Sequence, residues 1–392
     1  VKILMAGYLP GVSIATRPGH AALAEELRAC FSRPGEALVG IEEELMLLHP
    51  ETLDLLPRVA DVVGGPDPDE RLHLELPASQ VEIVLPPAGR VDDARDELRD
   101  ARASLARRAA DVGLLAGAGG HPFAALEGVL NDGERYEEME REFGAIARRQ
   151  LVFGLHVHVC VRGADRVVAV HDALRSYLPE LAALAANAPF QAGRDSGLAS
   201  VRPTLSGLLP RQGVPPALHS LDAFAADLEW GARAGRVPGP HRWWWELRLH
   251  PVHGTIEVRV CDAQATVEDT RGVAAVVRAL VHWLAERHDA GEDLPVSNTW
   301  RIVENRWLAA RDGLGAQLAD VRTGEVRPAR ERWEELLEAL APTAARLGDA
   351  EAFASVEALL RDGGGAARQR AAADGDAVAA TRWLADRFAS PH

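Results

Sequence analysis

Apolar and charged residues alternate with a two-residue period in four separate stretches of the chain. In Val39-Gly-Ile-Glu-Glu-Glu-Leu-Met-Leu47, Ile41, Leu45 and Leu47 fall on one parity, and Glu42 and Glu44 fall on the other. A β-strand sends residues i and i+2 to the same face, so this stretch predicts a strand with one core face and one acidic face. Between Leu151 and Val161, residues Leu151, Phe153, Leu155, Val157, Val159 and Val161 make a continuous apolar face, which leaves His156 and His158 together on the opposite one. Ile256, Val258 and Val260 likewise point inward, with Thr255, Glu257 and Arg259 outward. Around Glu82, Val81 and Ile83 go inward and Gln80 and Glu82 outward, and upstream Glu75 lies opposite Leu74 and Leu76. Glu43 breaks the rule: it falls on the apolar face, where a buried pair or a strand edge would have to accommodate it. The four stretches together predict one charged cavity lined by several strands.

Helical periodicity predicts helices over Asp92 to Val112, with Asp92 as N-cap, Glu134 to Gln150, Asp165 to Ala186, Leu221 to Ala234 and Val267 to His288. From about Trp300 onward the pattern is helical almost throughout, with breaks near Gly313, Gly324, Pro342 and Gly363-Gly364-Gly365. There is no regular βαβ beat and no repeat at solenoid periods. These features predict an α+β fold, with one mainly antiparallel sheet and helices on its back. Pro210 to Pro216 and Gly235 to Pro240 read as surface excursions near the cavity. Val1 to Pro18 is broken by Gly7, Pro10 and Gly11, carries Lys2 as its only early charge and makes a poor signal peptide. Residues 1–20 are therefore expected to be a leader or disordered segment, and residues 21–392 a single catalytic domain with a helical C-terminal part from about 300.

Composition narrows what the cavity serves. With 392 residues and 47% apolar content the chain can bury a full core. Its net charge of −15 argues against a partner that is a nucleic-acid backbone or an anionic membrane. No run of about 18 apolar residues is present to span a bilayer. Cys30, Cys160 and Cys261 form neither a disulfide framework nor a metal knuckle, which fits a reducing cytoplasm. The expected partners are small molecules, and the sequence leaves room for a homo-oligomer.

Taken singly, the motifs have ordinary explanations. A Glu-x-Glu is commonly a solvated face, a Glu-x-Arg an exposed ion pair, and a small buried thiol explains Cys160 and Cys261. Of Trp243, Trp244 and Trp245, at least one ring belongs in the core. Five carboxylates, two imidazoles and a guanidinium on the same faces of a few strands are harder to explain as solvated surface. Hard oxygen ligands favour Mg²⁺ or Mn²⁺ over zinc, and such ions bridge polyphosphate oxygens. An adjacent arginine stabilises charge on a transferring phosphoryl group, so the set points to phosphoryl transfer from a nucleotide.

The segments Val39-Gly-Ile-Glu-Glu-Glu-Leu, Glu75-Leu-Pro-Ala-Ser-Gln-Val-Glu-Ile, Gly154-Leu-His-Val-His-Val, Asn187-Ala-Pro-Phe, Gly193-Arg-Asp-Ser-Gly-Leu-Ala-Ser, Gly254-Thr-Ile-Glu-Val-Arg-Val-Cys-Asp and Glu304-Asn-Arg-Trp-Leu-Ala-Ala-Arg occur in this order. From about Gly35 to about Arg370 the chain thereby resembles the glutamate-cysteine ligase type 2 family, the carboxylate-amine ligases. The resemblance implies a curved, mainly antiparallel sheet like that of glutamine synthetase, forming an active-site funnel for ATP and Mg²⁺ or Mn²⁺, with helices on its outer face. It implies that Glu42 and Glu44 bind different metal ions, that Glu75 and Glu82 complete the shells, and that His156 and Glu257 are further ligands. His158 would lie near the nucleotide phosphates and Arg259 at the γ-phosphate. The implied reaction is ATP-dependent amide formation through an acyl phosphate, with weak ligation of glutamate to cysteine.

The chain departs from that family at Gln191, where tryptophan is usual, and at Leu198 and Val201, where aromatics are common. With Arg194 and Arg202 nearby, these positions are expected to reshape the substrate pocket. Arg202, Arg248 and Arg306 are candidates to hold substrate carboxylates through bidentate pairs, the alternative being that each neutralises a neighbouring acid. Two other classes stay open. A metal-dependent hydrolase could use the same ligands to activate water, although the βα pattern of a barrel metallohydrolase is missing. A catalytically silent nucleotide-binding regulatory protein could retain them as well.

Overall fold

In a computed structural model of the chain, residues 19–32, 37–64, 67–122, 127–235, 237, 239 and 242–389 are described. The strands are β1 (Val39–Leu48), β2 (Leu72–Leu74), β3 (Gln80–Val84), β4 (Leu114–Ala116), β5 (Gly154–Cys160), β6 (Phe190–Gln191), β7 (Arg194–Asp195), β8 (Leu247–His250), β9 (Thr255–Asp262), β10 (Gln317–Ala319) and β11 (Val326–Pro328). Seven of them form one sheet in the order β2-β3-β1-β5-β9-β8, with β4 pairing the far end of β1. Every pairing in this sheet is antiparallel.

The apolar parity read from the sequence is the parity that packs within these strands, whereas Phe153, just ahead of β5, leaves the expected face and joins a second cluster. Ile41, Leu45, Leu155, Val157, Val159, Ile256 and Val258 join one core with the helices Val91–Ala109, Ala164–Leu174, Leu178–Ala185 and Val267–Asp289. Directly opposed residues of an antiparallel pair share a face. The register sets Glu42 opposite His156, Glu44 opposite Glu82, His158 opposite Glu257, and Glu257 opposite Arg248. Charged residues distant in sequence thus become neighbours on the face away from those helices. Only part of that face is polar. Met46 and Leu48 form a second apolar cluster with Ala116, Phe153, Ala263, Ala265 and Leu384 of the C-terminal helix Ala377–Ala389.

Glu43 is resolved as a buried pair. Its carboxylate, 0% exposed, accepts from Arg102 Nε at 2.8 Å and Nη2 at 2.7 Å, and from Thr270 Oγ1 at 2.7 Å. Arg102 also donates to the carbonyls of Gln264 and Ala265 at 3.0 and 3.2 Å, and lies over the Phe388 ring. One carboxylate thereby ties β1 to two core helices on the side opposite the charged face of the sheet. Glu43→Gln is expected to leave Arg102 as an uncompensated buried charge and to cost about 3 kcal/mol of stability in denaturant unfolding, with metal affinity retained. An unchanged unfolding midpoint would contradict this.

Helix boundaries differ from the sequence expectation in instructive places. Asp92 is not an N-cap: its helix starts at Val91, and Asp92 accepts from Arg271 Nε at 2.7 Å from within the first turn. The stretch from Glu134 splits into Glu134–Phe143 and Ala145–Arg148 at Gly144, whose φ of 57° breaks the helix. The stretch from Asp165 splits at a 3₁₀ turn, Arg175–Tyr177, ahead of Pro179. Pro342 does not interrupt the helix Ala329–Leu347, because buried Trp333, Leu336, Leu340 and Ala344 hold it continuous across the lost hydrogen bond. The β10–β11 hairpin within the helical C-terminal part went unpredicted, since three-residue strands leave no periodicity to read. Residues 1–18 lie outside the described residues, and the expected boundary at residue 20 falls inside the helix Gly19–Phe31. In the Gly235 to Pro240 stretch, residues 236, 238 and 240 lie outside them too. No described helix is long and apolar enough to cross a membrane.

Candidate active site

Glu42 sits between the two imidazoles of β5. Its Oε2 is 3.1 Å from His156 Nδ1 and its Oε1 3.1 Å from His158 Nε2. Burial pushes its pKa up, but His158 and His156 outweigh burial and hold the carboxyl well below the usual carboxylate range. Glu44 points to the same side, accepts from the Gly154 amide and approaches His156 Nε2 to 3.8 Å. Burial, reinforced by Glu75, pushes the Glu44 carboxyl up to about 7. Across the strand pair, Glu82 is raised well above its ordinary value by burial, then by Glu75, Glu42 and Glu44. Glu44 and Glu82 are both raised in part by neighbouring carboxylates, so a cation among them would favour their charged forms.

The other half of the site is electropositive. Glu257 is buried and gripped by Arg248 through Nε and Nη2, and by Arg259 through Nη1. Burial opposes its ionisation, yet Arg248, Arg259 and His158 hold it well below the usual range. Burial lowers the His158 pKa, but Glu42 and Glu257 overcome this and raise it; its Nδ1 is 3.1 Å from Thr255 Oγ1. Burial and the neighbouring Arg259 pull His156 down to about 4, against Glu42. His156 is therefore neutral at physiological pH, the form that ligates metals. Among the described residues its buried Nε2 has no hydrogen-bond partner.

Among the described residues two groups of potential ligands follow, each with its atoms within 4.8 Å of one another: Glu42, His156 and Glu257, and Glu44, Glu82 and His156. His156 belongs to both, with Nδ1 toward Glu42 and Nε2 toward Glu44. Two carboxylates and one imidazole, with the imidazole's Nε2 left unpaired, are a donor set that fits a divalent cation. Glu75 sits further out, its Oε1 3.7 Å from exposed Arg135.

The residues expected to bind substrate divide differently. Gln191 and Arg194 pair across the two-residue β6–β7 ladder, with Gln191 half-buried and Arg194 exposed. Arg202 donates to the backbone of β9. Arg248 and Arg306 each engage an acid, Arg248 with Glu257 and Arg306 with Glu246 through Nε at 2.8 Å and Nη2. Trp243 packs edge-on against Phe224 at the core, whereas the guanidinium groups of Arg211 and Arg242 lie over the Trp244 ring. Cys261 is buried among core residues, not beside the ligands.

Three histidines escaped the sequence reading. His250 and His253 stack at 4.2 Å and both meet His158 edge-on, at 5.4 and 5.8 Å. His73 lies opposite Glu82 on β2. The signal was there in part: Leu247-Arg-Leu-His250 alternates as cleanly as the other strands, but over four residues only.

Comparison with known proteins bears on the family and the fold. Residues 38–382 match the family model described as glutamate-cysteine ligase family 2. A protein of Rubrobacter xylanophilus named "Putative glutamate--cysteine ligase 2-3" is 37% identical over 358 residues, 90% of this chain and 97% of its own. Its namesake 2-1 in Frankia alni is 36% identical over 360 residues, covering 88% of this chain and 94% of its own. Among solved structures, the glutamate–cysteine ligase of Francisella tularensis in complex with AMP has a TM-score of 0.66 at 14% identity, covering 92% of this chain and 90% of that one. A bifunctional glutathione synthetase from Pasteurella multocida reaches 0.63 at 14% identity, covering 95% of this chain and 54% of that one. The fold is thus shared with glutamate–cysteine ligases, and by the extent of the sequence match the chain belongs to glutamate-cysteine ligase family 2.

Proposed function

We propose that the protein is an ATP-dependent carboxylate–amine ligase that works through an acyl phosphate, with glutamate and cysteine as weakly used substrates. The observation that carries this reading is the pair of carboxylate–imidazole groups sharing His156, with Arg259 against the same imidazole at 3.3 Å. The polar face of the sheet would be the wall of a funnel like that of glutamine synthetase. That the Francisella ligase of similar fold is a complex with AMP supports nucleotide binding by this chain. Small-molecule substrates in a reducing cytoplasm, without nucleic acid or membrane, suit the acidic chain and its three buried thiols.

In this mechanism a substrate carboxylate oxygen attacks the γ-phosphorus and ADP leaves. The amine then attacks the acyl carbon, phosphate departs, and the nitrogen loses a proton to give the amide. Divalent cations, when bound, neutralise the polyphosphate and polarise the phosphoryl group. Glu42, Glu44, Glu82, His156 and Glu257 would hold them, with Glu75 at the outer edge. Arg259 is oriented by Glu257 and would donate to the transferring phosphoryl oxygens, while His158 faces the phosphates from beside Glu42. Gln191, Arg194 and Arg248 are the positions proposed around the amino-acid substrate, whereas Arg202 is engaged by the backbone of β9.

Release of ADP from ATP and Mg²⁺, screened against pools of amino acids and amines, tests the reading. Release that needs both a carboxylate and an amine supports it. Hydrolysis needing no acceptor would indicate a metallohydrolase, and ATP binding without turnover a regulatory protein. Binding of ATP is expected to require the metal, because the acidic cluster repels a bare polyanion. Calorimetry with and without excess Mg²⁺ checks this, and equal affinity in chelator would contradict it. Gln191→Trp is expected to change KM for the amino-acid substrates several-fold at nearly constant ATP affinity. Loss of ATP binding with unchanged substrate preference would move that loop to the nucleotide side.

A further inference from the structure

The β9 strand is irregular beside Arg259. Leu155 pairs with Cys261 and Val157 with Val258, so a single residue of β5, His156, faces two of β9, Arg259 and Val260. Two residues against one make a β-bulge, which disrupts the ladder locally and re-aims a side chain. Here the re-aimed side chain is Arg259, whose Nη1 reaches both Glu257 Oε1 and His156 Nδ1. Toward β8 the Arg259 amide still donates to Glu246 O at 2.8 Å, but the Glu246 amide turns away and donates to Gly213 O at 2.9 Å. Glu246 therefore returns no hydrogen bond to the Arg259 carbonyl.

That carbonyl finds its donor outside the sheet. Arg202, which opens the short helix Arg202–Ser206, gives Nη2 to Arg259 O at 3.1 Å and Nη1 to Val260 O at 3.3 Å. These are the carbonyls of the two bulged residues. Asp262, 3.9 Å from Nη1, supplies the balancing charge. A guanidinium takes a carboxylate bidentately along its Nη1–Nη2 edge or its Nη–Nε edge. In Arg202 the first edge is occupied by backbone, and the second ends on a buried Nε. Gly154 supplies the room, since a Cβ there would collide with Arg202 Nη2 and come within 3.0 Å of His156 Nε2.

We infer that Arg202 is a positioning residue: by capping the two carbonyls of the β9 bulge it holds Arg259 against His156 and Glu257, and it does not bind a substrate carboxylate. The catalytic consequence rests on the role proposed above for Arg259, whereas the capping itself does not.

A double-mutant cycle on the full chain separates the two roles. Arg202→Ala is expected to lower kcat about tenfold or more with KM for the carboxylate substrate nearly unchanged, and to cost little further in an Arg259→Lys background. Guanidinium at a sub-denaturing concentration should restore part of the Arg202→Ala rate. A readout independent of turnover is the side-chain NMR spectrum of ¹⁵N-arginine-labelled protein, in which the signals missing from Arg259→Lys identify Arg259. Their exchange with solvent should be about tenfold faster or more in Arg202→Ala than in wild type, since the bulge no longer holds the guanidinium on its partners. A chain with no ligase activity would still report the capping this way. If Arg202→Ala does not fold, Arg202→Lys, which can cap one carbonyl, is read in the same manner with smaller effects. A raised KM for the carboxylate substrate at unchanged kcat, or Arg259 signals that exchange as in wild type, would overturn the inference.

Discussion

Glu42→Gln and Glu44→Gln are each expected to lower turnover by more than about 10²-fold, since loss of even an outer partner of a metal ligand typically costs 10–100-fold. Glutamine keeps the shape of the side chain and removes the charge that a divalent ion needs. The two variants should part company in stability. Glu44 is pushed up to about 7 by burial and Glu75, so neutralising it relieves repulsion, and Glu44→Gln should unfold no earlier than wild type. Glu42 is the carboxylate that His158 and His156 share, so Glu42→Gln gives up those contacts and should unfold somewhat earlier. Glu43→Gln should show the reverse pattern, losing stability and keeping metal. Mn²⁺ titrations of the three variants beside their unfolding curves check the assignment. If Glu43→Gln were the most damaging to metal affinity with the fold intact, the facing of β1 toward β5 would have no functional meaning.

Arg259→Lys is expected to lower kcat by about 10²-fold or more while changing ATP affinity far less. The guanidinium of Arg259 is fixed from one side by Glu257 and faces His156 from the other, so its remaining donors have a defined direction. A lysine ammonium keeps the charge and loses the planar fork that can bridge two phosphoryl oxygens. Positional isotope exchange in ATP, run with the carboxylate substrate and no amine, should slow in step with kcat. Exchange at the wild-type rate in a slow variant would assign Arg259 to amine attack or product release.

The faces of the site strands were legible because a half-buried strand writes its inside and outside as alternate letters. Glu42 and Glu44, His156 and His158, and Glu257 and Arg259 were paired by that rule alone, and the same rule marked Glu43 as the exception. Register was not legible. Nothing local says that Glu44 will stand opposite Glu82, or that Glu257 will meet Arg248 as well as His158, because register is set by the whole packed sheet. The partner of Glu43 lies on the helix Val91–Ala109, beyond any window of periodicity. The bulge in β9 is equally silent, since the alternation through Val258, Arg259 and Val260 runs on unbroken in the sequence while the pairing slips. Helix ends were missed where a glycine with positive φ, as at Gly144, or tertiary packing, as around Pro342, overrode the pattern.

The account turns on whether the carboxylate is activated by phosphorylation, and transfer of a heavy-oxygen label tests that directly. The ligation is run to completion with ATP, Mg²⁺, an amine and a substrate labelled in both carboxylate oxygens, and the released phosphate is analysed by mass. An acyl phosphate leaves one substrate oxygen on the phosphate when the amine displaces it, so each amide formed should be matched by one singly labelled phosphate. Amide formation with unlabelled phosphate, or phosphate release without amide, would contradict the mechanism.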